Sequence, residues 1–236
     1  MTSVLIFIDK KAPPEAKRNL TNFGEVVELQ THNIVYEAIS GHPDIFIFQQ
    51  PGECVIAPQL PDKYVAKLRE RGVAFRTGIK NLSGTYPGTA AYNALYTAYG
   101  IIHNKNVGSE EILGAHSRFI HCNQAYARCN AIAAGGVVFT SDKGIEQALL
   151  KLEIPVLYVN PESILLQGFS HGFFGGCCGI FQKYFFVCGS LQYLPGGEQV
   201  KAVLQQQGLE CIELYDGPLL DTGGILFLPS AVDKIF

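Results

Sequence analysis

The chain has 236 residues, 47% apolar and 17% charged, with a formal net charge of −3. That apolar share on that length builds one core, so a single domain over residues 1–236 is expected and a disordered chain is excluded. The sequence holds neither the concentrated Lys/Arg patch that nucleic acid or an anionic membrane requires nor a run of about 18 apolar residues that would span a bilayer.

The first nine residues are too short for a signal h-region and lack a basic start, and Val4–Ile8 reads as a strand. A helix over about Pro14–Leu20 follows, then Gly24 and a strand at Glu25–Leu29. The next unit has strands at Asp44–Phe48 and Val55–Ala57 around Gly52. Its helix runs from Pro61 to Leu68, with Gly72 and a strand at Val73–Phe75 behind it. Arg69-Glu-Arg71, the densest charge cluster, is the polar end of that helix. A third unit places strands at Asn93–Tyr96 and Gly100–Ile102, a helix capped near Ser109 and ending at Leu113, the breaker Ser117, and a strand at Arg118–Cys122. The fourth has Asn130–Ala133, Val137–Phe139, a helix capped by Ser141 or Asp142 and ending at Leu149, Glu153, and Ile154–Val159. The fifth stretch has Cys177–Phe181, Tyr184–Val187, a helix from about Gly197 to Leu204, Gly208, and Leu209–Leu214. A last strand is expected at Ile225–Leu228.

One spacing recurs through this series: a helix-terminal Leu, a breaker four residues later, then a strand. The Leu faces a sheet, and where the breaker is Gly it supplies a left-handed cap. Each helix is preceded by two short strands, which an ordinary doubly wound α/β sheet does not need. The expected architecture is therefore α/β, with five ββαβ units in a closed propeller. The last unit is split, its first strand near the C-terminus being completed by the N-terminal strand, helix and strand. Closing the ring removes exposed sheet edges. No Gly-x-Gly-x-x-Gly or Walker loop opens a helix, and Gly175-Gly-Cys-Cys-Gly179 leads into a strand, so no nucleotide cofactor is expected. Seven cysteines occur without a Cys-x-x-Cys pair, and Cys54, Cys122, Cys129, Cys188 and Cys211 fall within apolar strands. Free, packed thiols in a reducing cytoplasm are the expectation. Adjacent Cys177 and Cys178 are poorly placed to bridge each other.

Five such units resemble the pentein, or guanidino-group-modifying-enzyme, fold. Several strings resemble an uncharacterised family of that fold: His42-Pro-Asp-Ile45, the Tyr86-Pro to Tyr92-Asn93 segment, Gln124-Ala-Tyr-Ala-Arg-Cys-Asn130, Thr140-Ser-Asp-Lys-Gly144, Phe173-Phe-Gly-Gly176 and Leu220-Asp-Thr-Gly-Gly-Ile225. The resemblance implies a central site and, in the fold's enzymes, a nucleophilic Cys after a Gly-Gly start in the last unit. This chain reads Gly223-Gly-Ile-Leu-Phe-Leu-Pro229 there, with Phe227 or a neighbour at the nucleophile's position and no Cys after Cys211. The enzymes' His-x-acid string has its nearest counterpart in His171-Gly-Phe-Phe, which keeps the His and lacks the acid. The usual Cys-dependent amidine chemistry is therefore not expected.

In such a ring the starts of the first strands converge. Asp44, Asn93 and Asn130 stand there, with Asp221 completing the set and His42, Arg128 and His171 nearby in sequence. A carboxylate suits a guanidinium or amine and Arg128 suits a ligand carboxylate, through paired hydrogen bonds. Each has an equally ordinary structural use, in turn hydrogen bonds or an ion pair. His171 is the candidate acid or base. Cys177 or Cys178 is a candidate relocated nucleophile if a nearby cation lowers its pKa, and otherwise a packed thiol. His103, His116 and His121 read as surface or packing residues. His42-Pro-Asp44 offers two metal ligands without a third in view, so neither metal nor cofactor is expected. The leading expectation is a protein binding a small polar guanidino, amidino or amino-acid-like molecule. The alternatives are a C–N hydrolase with altered residues and a non-enzymatic interaction protein.

Overall fold

A computed structural model describes residues 4–116 and 118–230, so the expected breaker Ser117 and residues 1–3 of the N-terminal segment lie outside the described residues. The chain opens with β1 (Val4–Asp9), α1 (Pro14–Leu20) and β2 (Glu25–Leu29). A helical turn α2 (Pro43–Phe46) leads into β3 (Ile47–Gln49), β4 (Cys54–Ile56), α3 (Asp62–Glu70) and β5 (Phe75–Thr77). A 3-10 turn at Gly88–Ala90 precedes β6 (Leu95–Thr97), β7 (Gly100–His103), α4 (Glu110–Leu113) and β8 (Phe119–His121). Then α5 (Ala127–Asn130) leads into β9 (Ala131–Ala134), β10 (Val137–Thr140), α6 (Lys143–Leu150) and β11 (Val156–Tyr158). A 3-10 turn at Gly175–Cys177 leads into β12 (Cys178–Phe181), β13 (Tyr184–Val187), α7 (Gly197–Gln206) and β14 (Glu210–Glu213), and β15 (Leu226–Pro229) ends the series.

These strands form five three-stranded sheets with one plan. In each, the middle strand pairs antiparallel with the first and parallel with the third, as β7 does with β6 and β8. The remaining sheet has the order β15-β1-β2, with Ile6 opposite Phe227 on one side and Val26 on the other. It joins the two ends of the described chain. Burial follows the plan: β1 is buried throughout, while β5 and β11 are half-buried or exposed along their length. Neighbouring sheets meet through their first strands, β3 against β6, β6 against β9, β9 against β12 and β12 against β15. Gln49 Nε2 in β3 donates to Phe227 O in β15 at 2.6 Å. Among the described residues no helix is long and apolar enough to cross a membrane.

Several first strands start later than their apolar runs. Asp44 and Asn130 sit in the helical turns α2 and α5, Asn93 precedes β6, and Cys177 closes a 3-10 turn. The apolar run passes unbroken from turn into strand, so hydrophobicity alone does not mark the boundary. Cys129 likewise lies in α5 rather than a strand, and none of the seven cysteines forms a disulfide among the described residues. Of the two cap candidates for α6, Asp142 accepts from Ile145 N at 2.7 Å, and Ser141 is used elsewhere.

His103, at the end of β7, is fully buried, and neither ring nitrogen has a hydrogen-bond partner among the described residues. Burial lowers its pKa to about 3, with Lys80 and His121 adding to the effect. The native state holds the imidazole neutral while the unfolded chain protonates it at about 6.5. Its stabilising contribution is thus complete above that pH and is lost as pH falls toward 3, by up to about 1.4 kcal/mol per pH unit. Urea unfolding of His103→Leu is expected to show a shallower loss of stability between neutral and mildly acidic pH than the parent. Equal losses would exclude this account.

Candidate functional site

The helical turns before the first strands bring their polar residues together at one end of the sheets. Asn93 ties α5 to α2: its Oδ1 accepts from Arg128 N at 2.9 Å and Cys129 N at 3.1 Å, and its Nδ2 donates to Asp44 O at 3.2 Å. The Cys129 thiol, held there, donates to Asp44 Oδ2 at 2.8 Å. Asp44 Oδ1 is buried without a hydrogen-bond partner among the described residues. His42 caps α2, its Nε2 3.8 Å from Asp9 Oδ2 and its Nδ1 3.9 Å from Asp221 Oδ1; Nδ1 also lacks a hydrogen-bond partner.

Asp221 is fixed by backbone donors, with Phe173 N on Oδ2 at 2.9 Å and Gly223 N on Oδ1 at 3.0 Å. The glycines around it have steric reasons. A Cβ on Gly176 would fall 1.9 Å from Asp221 Oδ1, and one on Gly223, whose φ is +66°, would fall 2.2 Å from the His42 Cβ. Arg128 donates from one terminal nitrogen to Gly175 O at 2.7 Å and from the other to Cys178 O at 3.0 Å.

Burial sets the electrostatics. It raises Asp44 to about 6 against the pull of Arg128, Asp221 to about 7, and Asp9 to about 6 against the hydrogen bond from Lys11. It lowers His42 to about 3, so the His42 contacts with Asp9 and Asp221 are those of a neutral imidazole. The Cys129 thiol is pushed well above its ordinary value by burial and then by Asp44.

A cavity of about 110 Å³ opens on this cluster. Tyr36, Tyr126, Phe169, His171 and Phe173 form its aromatic walls, and His42, Cys129 and Asp221 bring the buried polar groups to it. Tyr36 and Tyr126 share a hydrogen bond between their hydroxyls at 3.1 Å, and Tyr126 also bonds Thr89 Oγ1. A second, larger cavity of about 390 Å³ is lined by residues of β3, β6, β9, β12 and β15 and by Arg128.

His42, Asp44, Asn93, Arg128 and Asp221 thus meet in one place. Asn130 turns aside: its Nδ2 donates to Tyr126 O at 2.9 Å and its Oδ1 faces Ser141 Oγ at 3.3 Å. His171 reaches the cavity, with Nδ1 2.9 Å from Gly172 O. Cys177 and Cys178 line neither of the two cavities. Both are fully buried, their thiols are raised well above the ordinary range by that burial, and Cys177 donates to Phe173 O at 3.3 Å. The thiol that does reach the cavity is Cys129. It also supplies the third metal donor that the sequence did not bring into view, since ligand atoms of His42, Asp44 and Cys129 all lie within 4.8 Å of one another. The signal for Cys129 was its place between Arg128 and Asn130 in one polar string. Asp9 closes an apolar strand, and the aromatic walls come from aperiodic segments.

Five ββαβ sheets with a cavity at the head of their first strands define a pentein fold. Within it, the chain belongs to the family described as a family of unknown function (DUF6873), whose model matches residues 7–226. Among solved structures the chain is similar to the agmatine deiminase of C. jejuni, at 9% identity and a TM-score of 0.50, over 89% of this chain and 87% of that one. It is also similar to SxtG, an amidinotransferase from Microseira wollei in the saxitoxin biosynthetic pathway, at 10% identity and a TM-score of 0.49, over 89% and 88%. At 9% identity the likeness to the agmatine deiminase is one of fold. No curated protein matches the sequence significantly.

Proposed function

We propose that this protein is a closed ring of five units that binds a small molecule with a guanidino, amidino or amine group in the aromatic-walled cavity. The observation that carries the reading is Asp221, a buried carboxylate held by two backbone N–H groups beside Tyr36, Phe169 and Phe173. A desolvated carboxylate pairs strongly with an organic cation, and aromatic faces attract the same charge. The successive contacts of β3, β6, β9, β12 and β15, with Gln49 returning to Phe227, support ring closure. A reducing cytoplasmic setting is supported by six of the seven cysteines being packed as buried residues.

Binding without the usual covalent chemistry is supported by the late segment. Phe227, standing near the enzymes' nucleophile position, is buried and stacked on Phe181 at 5.2 Å. Calorimetric titration with agmatine and with arginine as probes is expected to show saturable binding to at least one of them. Asp221→Asn should weaken it by roughly tenfold or more, the loss of a charge-assisted pair. If neither probe binds, or Asp221→Asn binds equally well, the proposal fails. One observation favours a second reading, a C–N hydrolase with altered residues: the Cys129 thiol both lines the cavity and contacts Asp44. Release of ammonia or urea from a probe, abolished in Cys129→Ser, would replace binding by that reading.

A further inference from the structure

We propose that His42, Asp44 and Cys129 form a site for a divalent transition metal of the zinc type, on the inner side of the same cavity. The three donors come from two elements far apart in sequence, α2 with its cap residue and α5. Their ligand atoms nevertheless gather within 4.8 Å of one another, in a fully buried position. His42 Nδ1 and Asp44 Oδ1 are buried polar atoms without a hydrogen-bond partner among the described residues, a costly arrangement that a bound cation would relieve.

The surroundings are those of a metal site rather than a chance cluster. The far nitrogen of His42, Nε2, faces the Asp9 carboxylate at 3.8 Å, so a second carboxylate stands behind the imidazole, as it does behind many metal-bound histidines. Asn93 bridges α2 and α5 with three backbone hydrogen bonds, which fixes Cys129 against Asp44 before any ion arrives. Three buried carboxylates, Asp9, Asp44 and Asp221, meet here with Arg128 as the cation acting on both Asp44 and Asp221.

The donor set selects the ion. One sulfur, one imidazole nitrogen and one carboxylate oxygen suit Zn²⁺ or Co²⁺, whereas Mg²⁺ and Ca²⁺ take oxygen donors. Binding breaks the Cys129 S–H bond and forms a metal–thiolate bond. The proton now shared with Asp44 Oδ2 leaves to solvent, with no change of oxidation state. Three protein ligands leave a tetrahedral ion with a fourth position for water or a ligand atom. His42 and Cys129 both line the cavity, so that position is offered to its contents. Asp221, already held by backbone donors, stays available to an organic cation.

The test uses the full chain stripped of metal with a chelator and titrated with Co²⁺, then with Zn²⁺ in competition, with no organic ligand present. The expected result is a single Co²⁺ per chain with a thiolate-to-cobalt charge-transfer band, displaced by Zn²⁺. Cys129→Ser should lose the band and weaken Zn²⁺ binding by more than roughly 100-fold, and His42→Gln and Asp44→Asn by more than roughly tenfold each. Cys211→Ser, which removes the partly exposed thiol, should leave the titration unchanged. Absence of the band in the parent protein overturns the proposal whatever the variants do. So does a band that survives Cys129→Ser or disappears in Cys211→Ser. Agmatine or arginine binding is read separately, so the failure of one proposal is distinguishable from the failure of the other.

Discussion

Replacing Arg128 by Leu is expected to cost about 2–5 kcal/mol of stability, chiefly from two buried carbonyls left unsatisfied at about 1–3 kcal/mol each. Arg128 is 8% exposed, and the two terminal nitrogens of its guanidinium are committed to Gly175 O and Cys178 O. Those carbonyls belong to the turn that starts β12, while Arg128 itself belongs to the turn that starts β9. The side chain therefore clasps two neighbouring units at their heads. It is also the cation that favours the charged form of Asp44 and Asp221. Leu would leave two buried acceptors unmet and those acids without their counter-charge. Arg128→Lys keeps the charge but gives up the planar fork, so it should recover only part of the loss. Urea unfolding of the three proteins checks the order parent, Lys, Leu. A Leu variant within about 1 kcal/mol of the parent would show that the clasp is not structural.

Phe227→Ala is expected to cost about 3–5 kcal/mol, through a cavity rather than through unmet hydrogen bonds. Phe227 lies in β15 opposite Ile6, stacks on Phe181 at 5.2 Å and meets Phe186 at 4.6 Å. Phe186 in turn meets Phe23 edge-on at 4.7 Å. Truncation would hollow out this aromatic group while leaving the Phe227 carbonyl to accept from Gln49. Gln49→Ala should thus be a milder change, about 1 kcal/mol, the worth of one net hydrogen bond. A Phe227→Ala variant no less stable than Gln49→Ala would contradict the packing account. Thermal unfolding followed by circular dichroism ranks the two.

The repeat was legible because its punctuation is chemical. Leu20, Leu68 and Leu204 each sit fully buried at or near a helix end, and Gly72 and Gly208 take the positive φ that their breaker role requires. The split sheet could be read from the same logic, since an apolar strand at each end lacked a partner. What periodicity missed was the turn before each first strand. Asp44-Ile-Phe46 is as apolar as the strand it feeds, and only the partner atoms distinguish helix from extended chain. In the site, Asp44, Asn93 and Asp221 stood out as polar residues in apolar settings. Cys129 carried a signal in its polar neighbours Arg128 and Asn130 but was read as a thiol packed in an apolar strand, and Asp9 did not stand out, because it ends a strand in the way turn residues do. Asn130 stands directly before β9, at the strand start expected from the sequence, but its side chain is engaged locally. Its neighbour Ser141 gives its amide a local partner, and Asn93 has no such neighbour.

The sheet β15-β1-β2 also governs how the molecule comes into being on the ribosome. β1 starts at Val4 and its antiparallel partner β15 at Leu226, so the four other sheets are all made before that pairing exists. Until then β1 holds a bare apolar strand edge, a hazard that long-range pairing imposes on any growing chain. A product terminated before Leu226 would leave β1 with β2 as its single strand partner.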